Sequence, residues 1–296
     1  MVGISSTLVK TLREKTGAGV IACKNALVET EGDFEAAVDR LRAAEASKAS
    51  AKTSRVAAEG LVGLVVDGNK GAVVELNTET DFAARTPALQ DAASALARLA
   101  LHVGGDRDAL LDAGAPDGDG RVSDLMLRLT ARTGEHVNLR RADCVSVRTG
   151  VIASYVHGAI APGLGRIGVL VAIESGAPAA PLQGIGREIA MHIAASAPLW
   201  VSPDEIPPEV VTEKRTALTE QAERTGKPPA IVDKMVEGRM RKYFEEVVLG
   251  RQAFALNPDQ RVEDVLREAA MSTGTTVTVD AFVRFKTGEG LVQTAE

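Results

Sequence analysis

Two glycine-rich stretches have the spacing of dinucleotide-binding motifs. Residues 17–22 fit the pattern G-x-G-x-x-A, and residues 163–168 fit G-x-G-x-x-G. Such a motif holds a pyrophosphate only where a strand precedes it and a helix follows it, because the phosphates then meet the helix N-terminus. The first stretch follows a predicted helix, and the second precedes a predicted strand. We therefore expect no nucleotide site at either stretch, and a dinucleotide-dependent enzyme stays only as a competing hypothesis.

The histidines and cysteines lack the spacing of a metal site. No H-x-x-x-H or C-x-x-C pattern is present, and no G-x-S-x-G sequence marks a serine nucleophile. The two cysteines, Cys23 and Cys144, are too few for a disulfide framework and suit a reducing compartment. His192 lies on an apolar predicted helix, where a hydrogen-bonded, half-buried histidine is the simplest interpretation. The sequence therefore predicts no metal, no cofactor and no covalent catalytic centre.

The Thr80-Asp81-Phe82 unit is the sharpest local feature. It lies where a predicted strand runs into a predicted helix, so Thr80 can cap the helix and Asp81 can occupy its first turn. Phe82 has two interpretations. It either seals the preceding hairpin against the helix or forms an aromatic knob that a partner's pocket receives. Aromatic residues are only 3% of the chain, so an exposed one would stand out.

The composition is that of a globular protein with an acidic balance. The 296 residues are 45% hydrophobic and 25% charged, which excludes wholesale disorder. The net charge is −6, so a broad basic surface for nucleic acid is not expected. The longest strongly apolar stretch, 167–173, is far shorter than the ~20 residues of a membrane helix. The N-terminus shows neither a secretory nor a transit signal, so we expect a cytoplasmic protein.

The pattern of the first 54 residues predicts three short helices and a linker. Apolar residues at helical spacing indicate a helix that Gly17 ends, a second that ends at Gly32, and a third that Asp33 caps. The stretch 46–55 has no large apolar residue and is interpreted as a linker or a solvated helix. A helical adaptor that binds peptides or RNA through this unit is the second competing hypothesis.

Residues 55–208 predict two related α+β subdomains. The first has a hairpin of strands 61–66 and 72–76, and a helix follows. The second has predicted strands at 145–156 and 166–174, and a helix follows at 182–196. The similarity lies in the order of the elements rather than in residue identity.

Two charged helical runs, 210–225 and 231–249, predict an antiparallel helix pair. Because a further strand is predicted at 276–285, we interpret the pair as a coiled-coil arm inserted in the second subdomain. An apolar stripe on its second helix packs either against the first helix or against a dimer mate or another partner. The stripe consists of Val232, Met235, Val236, Met240, Phe244 and Val247.

Several blocks of the sequence resemble the bacterial translation elongation factor Ts family. The main blocks are LREKTGAG at 12–19 and ETDF at 79–82. Further similar blocks are RVAAEG at 55–60, AMHIAA at 190–195, VEGRM at 236–240 and FVRF at 282–285. Together they span nearly the whole chain in the family's order. The sequence departs from the family's usual residues at Val20-Ile21, Ala83 and Ala253.

The resemblance implies an α+β fold and a particular order of domains along the chain. A three-helix domain similar to ubiquitin-associated domains, with its linker, is expected at 1–54. Two related core subdomains, each an antiparallel sheet with helices, are expected at 55–141 and at 142–208 with 272–296. The inserted antiparallel coiled-coil arm is expected at 209–271.

The resemblance also implies a function and a set of contact residues. It implies a guanine-nucleotide exchange factor, without covalent chemistry, for GDP-bound and nucleotide-free elongation factor Tu. Thr80, Asp81, Phe82 and Ala83 are expected to act near the partner's Mg²⁺ and phosphate site. Nucleic acid and membrane are not expected partners, and a homodimer or a heterotetramer is an expected assembly. The other expected contact residues are Arg13, Val20, Ile21, Lys24, Ile167, Gly168, His192, Ala255 and Leu256.

Overall fold

A computed structural model describes residues 4–50 and 55–291. The described helices are α1 (Ser6–Thr16), α2 (Val20–Glu29), α3 (Phe34–Ser50), α4 (Asp81–Ala84), α5 (Pro87–Val103), α6 (Arg107–Asp112), α7 (Val122–Thr133), α8 (Ala179–Ser196), α9 (Pro208–Glu223), α10 (Pro229–Val247) and α11 (Val262–Thr273). The described strands are β1 (Glu59–Asp67), β2 (Lys70–Thr78), β3 (Asn138–Ser146), β4 (Gly150–His157), β5 (Leu164–Gly165), β6 (Ile167–Glu174), β7 (Ala253–Phe254), β8 (Asn257–Arg261) and β9 (Thr278–Lys286). This content agrees with the expected α+β class.

Helices α1, α2 and α3 form the N-terminal unit that the sequence predicts. Ser5 caps α1 by accepting a hydrogen bond from the Leu8 N–H at 3.1 Å, and Gly17 ends it with a left-handed φ of 75°. Leu12 and Leu27 are fully buried in its small core. Helix α3 continues to Ser50 through part of the predicted linker, and residues 51–54 lie outside the described part of the chain. The similarity to ubiquitin-associated domains stays a prediction.

The first sheet has the strand order β3-β2-β1-β5, and its neighbouring strands are antiparallel. The predicted hairpin is confirmed, with a turn at Gly68-Asn69 where Gly68 has a positive φ of 57°. One face of the sheet packs on α5, which buries Leu89 and Leu96 against Leu61 and Leu76. This packing fixes the end of β2, where the Thr80-Asp81-Phe82 unit begins.

The second sheet has the antiparallel order β4-β6-β9 and packs on α8 and α11. Strand β9 pairs with β6 although α9 and α10 lie between them in the sequence. The two sheets bury an apolar layer between their other faces, in which Val62 and Val73 of the first sheet meet Ile152 and Leu170 of the second. The residues that follow these two helices therefore complete the second sheet.

Helices α9 and α10 form the predicted antiparallel hairpin. Its interior buries Val232, Val236 and Met240 together with Ala222 of α9. Five of the six stripe residues, all except Val247, belong to this cluster, so the stripe packs mainly against the sister helix, as the first of the two interpretations holds. Among the described residues, no helix combines the length and the apolar character needed to cross a membrane.

The region 145–156, predicted as one strand, is two strands in different sheets, so this prediction is wrong. β3 ends at Ser146 in the first sheet, and β4 begins at Gly150 in the second. Gly150 permits the switch because its φ is 138° and a Cβ there would lie 2.0 Å from the Ile173 carbonyl oxygen. β3 also runs across the predicted domain boundary at 141/142. The short strands β5, β7 and β8 were not predicted.

Candidate functional site

The strand-to-helix corner after β2 is built on Thr80. Its backbone is extended, with φ −126° and ψ 158°, and its Oγ1 accepts a hydrogen bond from the Ala83 N–H at 3.4 Å. Thr80 is therefore the N-cap of α4, as the sequence predicts. Ala83 and Ala84 are buried on the inner side of this single turn, so the turn is anchored to the core.

Phe82 points away from the protein, and 79% of its surface is exposed. The interpretation that it seals the hairpin to the helix is therefore wrong. Asp81, beside it, forms an ion pair with Arg85 at 3.4 Å, and its side chain is 43% exposed. The corner thus presents one large aromatic ring and one carboxylate to solvent.

The loop between α7 and β3 is hydrogen-bonded to this corner. The two carboxylate oxygens of Glu135 accept hydrogen bonds from the Thr80 N–H at 2.9 Å and the Thr80 hydroxyl at 2.6 Å. In return, Glu79 accepts a hydrogen bond from the His136 N–H at 2.7 Å. Sequence reasoning missed Glu135, because it is 55 residues away from Thr80 and no local pattern connects the two.

A second exposed surface lies on the N-terminal helices. Val20 and Ile21 are 53% and 77% exposed on the first turn of α2. Arg13, Val20 and Lys24 line one cleft of about 370 Å³ between α1 and α2. The structure therefore brings these expected contact residues together on one surface, with apolar groups beside cationic ones.

Ile167 and Gly168 begin the central strand β6 of the second sheet. Ile167 is half-buried, whereas Gly168 is buried between the sheets, where an added Cβ would lie 2.6 Å from Val62 Cγ1. Gly168 is buried in the chain alone, and the partner contact expected there stays a prediction. Its role is to allow the close approach of the two sheets.

His192 is also buried, with no exposed surface in the chain alone, and the partner contact expected there stays a prediction. The Ala255 N–H donates to Nδ1 at 3.1 Å, so the proton of the neutral ring is on Nε2, which donates to Gln252 Oε1 at 2.8 Å. The ring thereby fastens the turn between β7 and β8 to α8. Ala255 and Leu256, both exposed, lie on that turn, and Leu256 is 46% exposed.

The free energy of unfolding is expected to decrease at acid pH because of His192. Burial lowers the pKa of His192 below its usual 6.5, while the Gln252 hydrogen bond opposes this. The unfolded chain then binds the proton at higher pH than the folded chain. The stabilisation is complete above about pH 6.5 and is lost as the pH falls towards the lower folded pKa.

Urea unfolding at about pH 7.5 and about pH 5.5 measures this change in the free energy of unfolding. Comparison with His192→Gln, which cannot titrate at this position, separates the contribution of His192 from that of other titrating groups. The wild type should lose more stability between the two pH values than the variant. Equal losses in both proteins would show that His192 is not the group responsible.

The described residues give no support to a metal centre or a dinucleotide motif. No group of three or more His, Cys, Asp or Glu in the described ranges is placed to hold a metal ion. Gly17 ends a helix, and Gly163 to Gly165 form a turn and the short strand β5, so neither glycine stretch joins a strand to a helix N-terminus.

Comparison with known proteins agrees with the sequence blocks. A family model described as Elongation factor TS matches residues 79–289. Elongation factor Ts of Parvibaculum lavamentivorans is 47% identical over 291 residues, covering 98% of this chain and 94% of that protein. Elongation factor Ts of Caulobacter sp. strain K31 is 50% identical over 295 residues, with the same coverage of 98% and 94%. The match spans the N-terminal helices, both sheets and the helical hairpin, and the chain belongs to the elongation factor Ts family.

Proposed function

We propose that this protein is a guanine-nucleotide exchange factor for elongation factor Tu and acts in translation elongation in the bacterial cytoplasm. Family membership supports the role, and the observation that carries the mechanism is the exposed Phe82 on the capped corner after β2. A large aromatic side chain that is 79% exposed on an anchored turn costs solvation free energy unless a partner covers it. Contact with a partner protein would explain why the Phe82 side chain stays exposed.

The proposed mechanism is the displacement of groups that hold the partner's nucleotide. A GTPase binds its phosphates through P-loop N–H groups, a lysine and Mg²⁺. Asp81 and Phe82 would enter the GTPase domain beside this site and separate the elements that support the metal ion. The metal and the phosphates are then released together because each contributes to holding the other. No covalent bond changes in this process.

Binding thermodynamics require more than the corner alone. A factor that binds the empty partner tightly must weaken nucleotide binding by the same ratio. Accelerating release ~10⁴-fold needs about 5.5 kcal/mol of preferential stabilisation. Burying one phenylalanine contributes only about 1.5–3 kcal/mol. We therefore propose that the surfaces at Arg13, Val20, Ile21 and Lys24 and at Ala255 and Leu256 also contact the partner.

The finer architecture belongs to the same proposal. The N-terminal unit would be a ubiquitin-associated-like domain, and α9 with α10 would be a coiled-coil arm. The domains would span residues 1–54, 55–141, 142–208 with 272–296, and 209–271. Strand β3 continues across the boundary between residues 141 and 142. A homodimer, or a heterotetramer with two copies of the partner, is the proposed assembly.

The test is a nucleotide-release assay with purified elongation factor Tu loaded with fluorescent GDP. Substoichiometric amounts of the chain should accelerate the loss of the fluorescent nucleotide when unlabelled GDP is in excess. NAD or GTP titrated onto the chain alone should not bind. Release at the spontaneous rate with a folded chain, or tight binding of either nucleotide to the chain itself, would refute the proposed function.

A further inference from the structure

Two carboxylates link the corner to the loop that follows α7, one contributed by each segment. Glu135 of the loop binds the backbone and the hydroxyl of Thr80, and Glu79 of the corner binds the backbone of His136. Glu79 also forms an ion pair with Arg55 at 3.4 Å, and the Arg55 carbonyl is 3.0 Å from His136 Nδ1. We call these two reciprocal contacts, Glu135 with Thr80 and Glu79 with His136, the carboxylate clamp.

Every polar group of Thr80 is hydrogen-bonded, two of them to the carboxylate clamp. The N–H and the hydroxyl donate to Glu135, the hydroxyl oxygen accepts from Ala83, and the carbonyl accepts from the Thr78 hydroxyl at 2.7 Å. Because the Thr80 hydroxyl proton is committed to Glu135, its lone pairs face the first turn of α4. The orientation of the N-cap is thus determined by a residue from another element.

Helix α4 depends on such external support. It has four residues, which is far below the length at which a helix persists by itself. Its exposed Phe82 has little packing of its own to hold it in place. The buried Ala83 and Ala84 fix the inner side of the turn, and the cap fixes its start. Without the cap, the direction in which Phe82 projects is no longer determined.

We propose that Glu135 is a positioning residue, which holds Thr80 so that α4 presents Phe82 in the orientation needed to enter the partner. The inference rests on the proposed function, because it concerns how the corner performs nucleotide release. Glu135 does not touch the partner in this scheme and acts through Thr80. Charge-assisted hydrogen bonds suit this role because they are shorter and stronger than neutral ones.

Glu135→Ala removes both acceptors and should slow stimulated GDP release about tenfold, the rate equivalent of one charge-assisted hydrogen bond. Glu135→Gln keeps one acceptor and should recover part of the rate. Asp124→Ala is the matched control, because Asp124 is a capping carboxylate at the other end of α7, bonded to the Arg121 N–H at 2.8 Å. Its release rate should stay close to that of the wild type.

A double-mutant cycle with Phe82→Ala separates positioning from general stabilisation. If Glu135 acts through Phe82, adding Glu135→Ala to Phe82→Ala should slow release less than about twofold further. Amide hydrogen exchange at residues 80–85 should also become faster in Glu135→Ala and remain unchanged in Asp124→Ala.

Three results would overturn the inference. They are GDP release at the wild-type rate with Glu135→Ala, fully additive effects of the two substitutions in the double-mutant cycle, and unchanged amide hydrogen exchange at residues 80–85 in Glu135→Ala. Wild-type release by Phe82→Ala would instead count against the proposed function, and the exchange measurement would then still decide whether Glu135 orders the corner.

Discussion

Replacing Phe82 by alanine is expected to slow stimulated GDP release from elongation factor Tu by roughly 30- to 150-fold, equivalent to about 2–3 kcal/mol. The ring is the largest apolar group of the corner, and its burial in the partner would be lost. Because the residue is 79% exposed in the free chain, removal of its ring should cost the fold little, under about 0.5 kcal/mol. Fluorescent GDP release at saturating factor measures the first effect, and urea unfolding measures the second.

Met271 provides a matched control for this substitution. It is 70% exposed on α11, so Met271→Ala removes a similarly exposed apolar side chain elsewhere on the molecule. Its release rate should remain within about twofold of the wild type. Asp81→Ala combined with Phe82→Ala should release GDP at least as slowly as Phe82→Ala alone, with unchanged far-ultraviolet circular dichroism. A folded Phe82→Ala protein with the wild-type rate would contradict the assigned role of the corner.

The parts of the fold that the sequence predicted correctly are those with local causes. The N-terminal helices end where Gly17 takes a left-handed φ, and the first hairpin turns at Gly68-Asn69. Apolar residues at helical spacing located α10. The cap at Thr80 was also predictable, because a hydroxyl at a strand end needs only the next three residues to act as an N-cap.

The features that the sequence did not reveal depend on distant residues. The region 145–156 has a continuous strand-like pattern, and the switch between sheets follows from where Gly150 meets the Ile173 carbonyl. The burial of His192 was indicated by its apolar neighbours, but its partner Gln252 lies 60 residues further along the chain. The resemblance implies partner contacts at His192 and Gly168, which stay predictions, and the packing that buries both in the chain alone comes from distant residues that no motif reveals.

The same distinction applies to the site. Asp81 and Phe82 were identifiable as candidates from their motif, because both residues lie in one short stretch. Glu135 was not, since the clamp forms only when the loop after α7 packs beneath the corner. A local motif can therefore be recognised in the sequence, whereas a hydrogen bond from a distant element is visible only in the tertiary structure.

The buried carboxylate Glu75 gives the largest expected effect on stability. It lies in β2 among apolar residues and has no exposed side-chain surface. Its oxygens accept hydrogen bonds from Arg140 Nη1 at 2.9 Å, Arg141 Nε at 2.6 Å and the Gly288 N–H at 2.8 Å. One carboxylate thus connects β2 to β3 and to the turn that follows β9. Arg141 also lies over the Phe285 ring, 4.1 Å from its centroid.

Glu75→Ala should lower the free energy of unfolding by about 3–5 kcal/mol, because it leaves two guanidinium groups and a backbone N–H without their shared acceptor. The side chains of Arg140 and Arg141 are 21% and 30% exposed, so they can turn partly to water and the lower end of that range is expected. Glu75→Gln retains the shape and one acceptor and should cost less. Urea denaturation followed by circular dichroism measures both variants.

An exposed ion pair in the arm is the appropriate comparison for Glu75. Glu237 pairs with Arg215 across α9 and α10, and its side chain is 63% exposed. Glu237→Ala should therefore cost less than about 1 kcal/mol, since water replaces the lost partner. If Glu75→Ala proved no more destabilising than Glu237→Ala, the connection between the two sheets through Glu75 would not contribute to the stability of the core. If it is as costly as expected, the turn after β9 is fastened to the first sheet by charge as well as by the apolar layer, because the same carboxylate binds Arg141 and Gly288 at once.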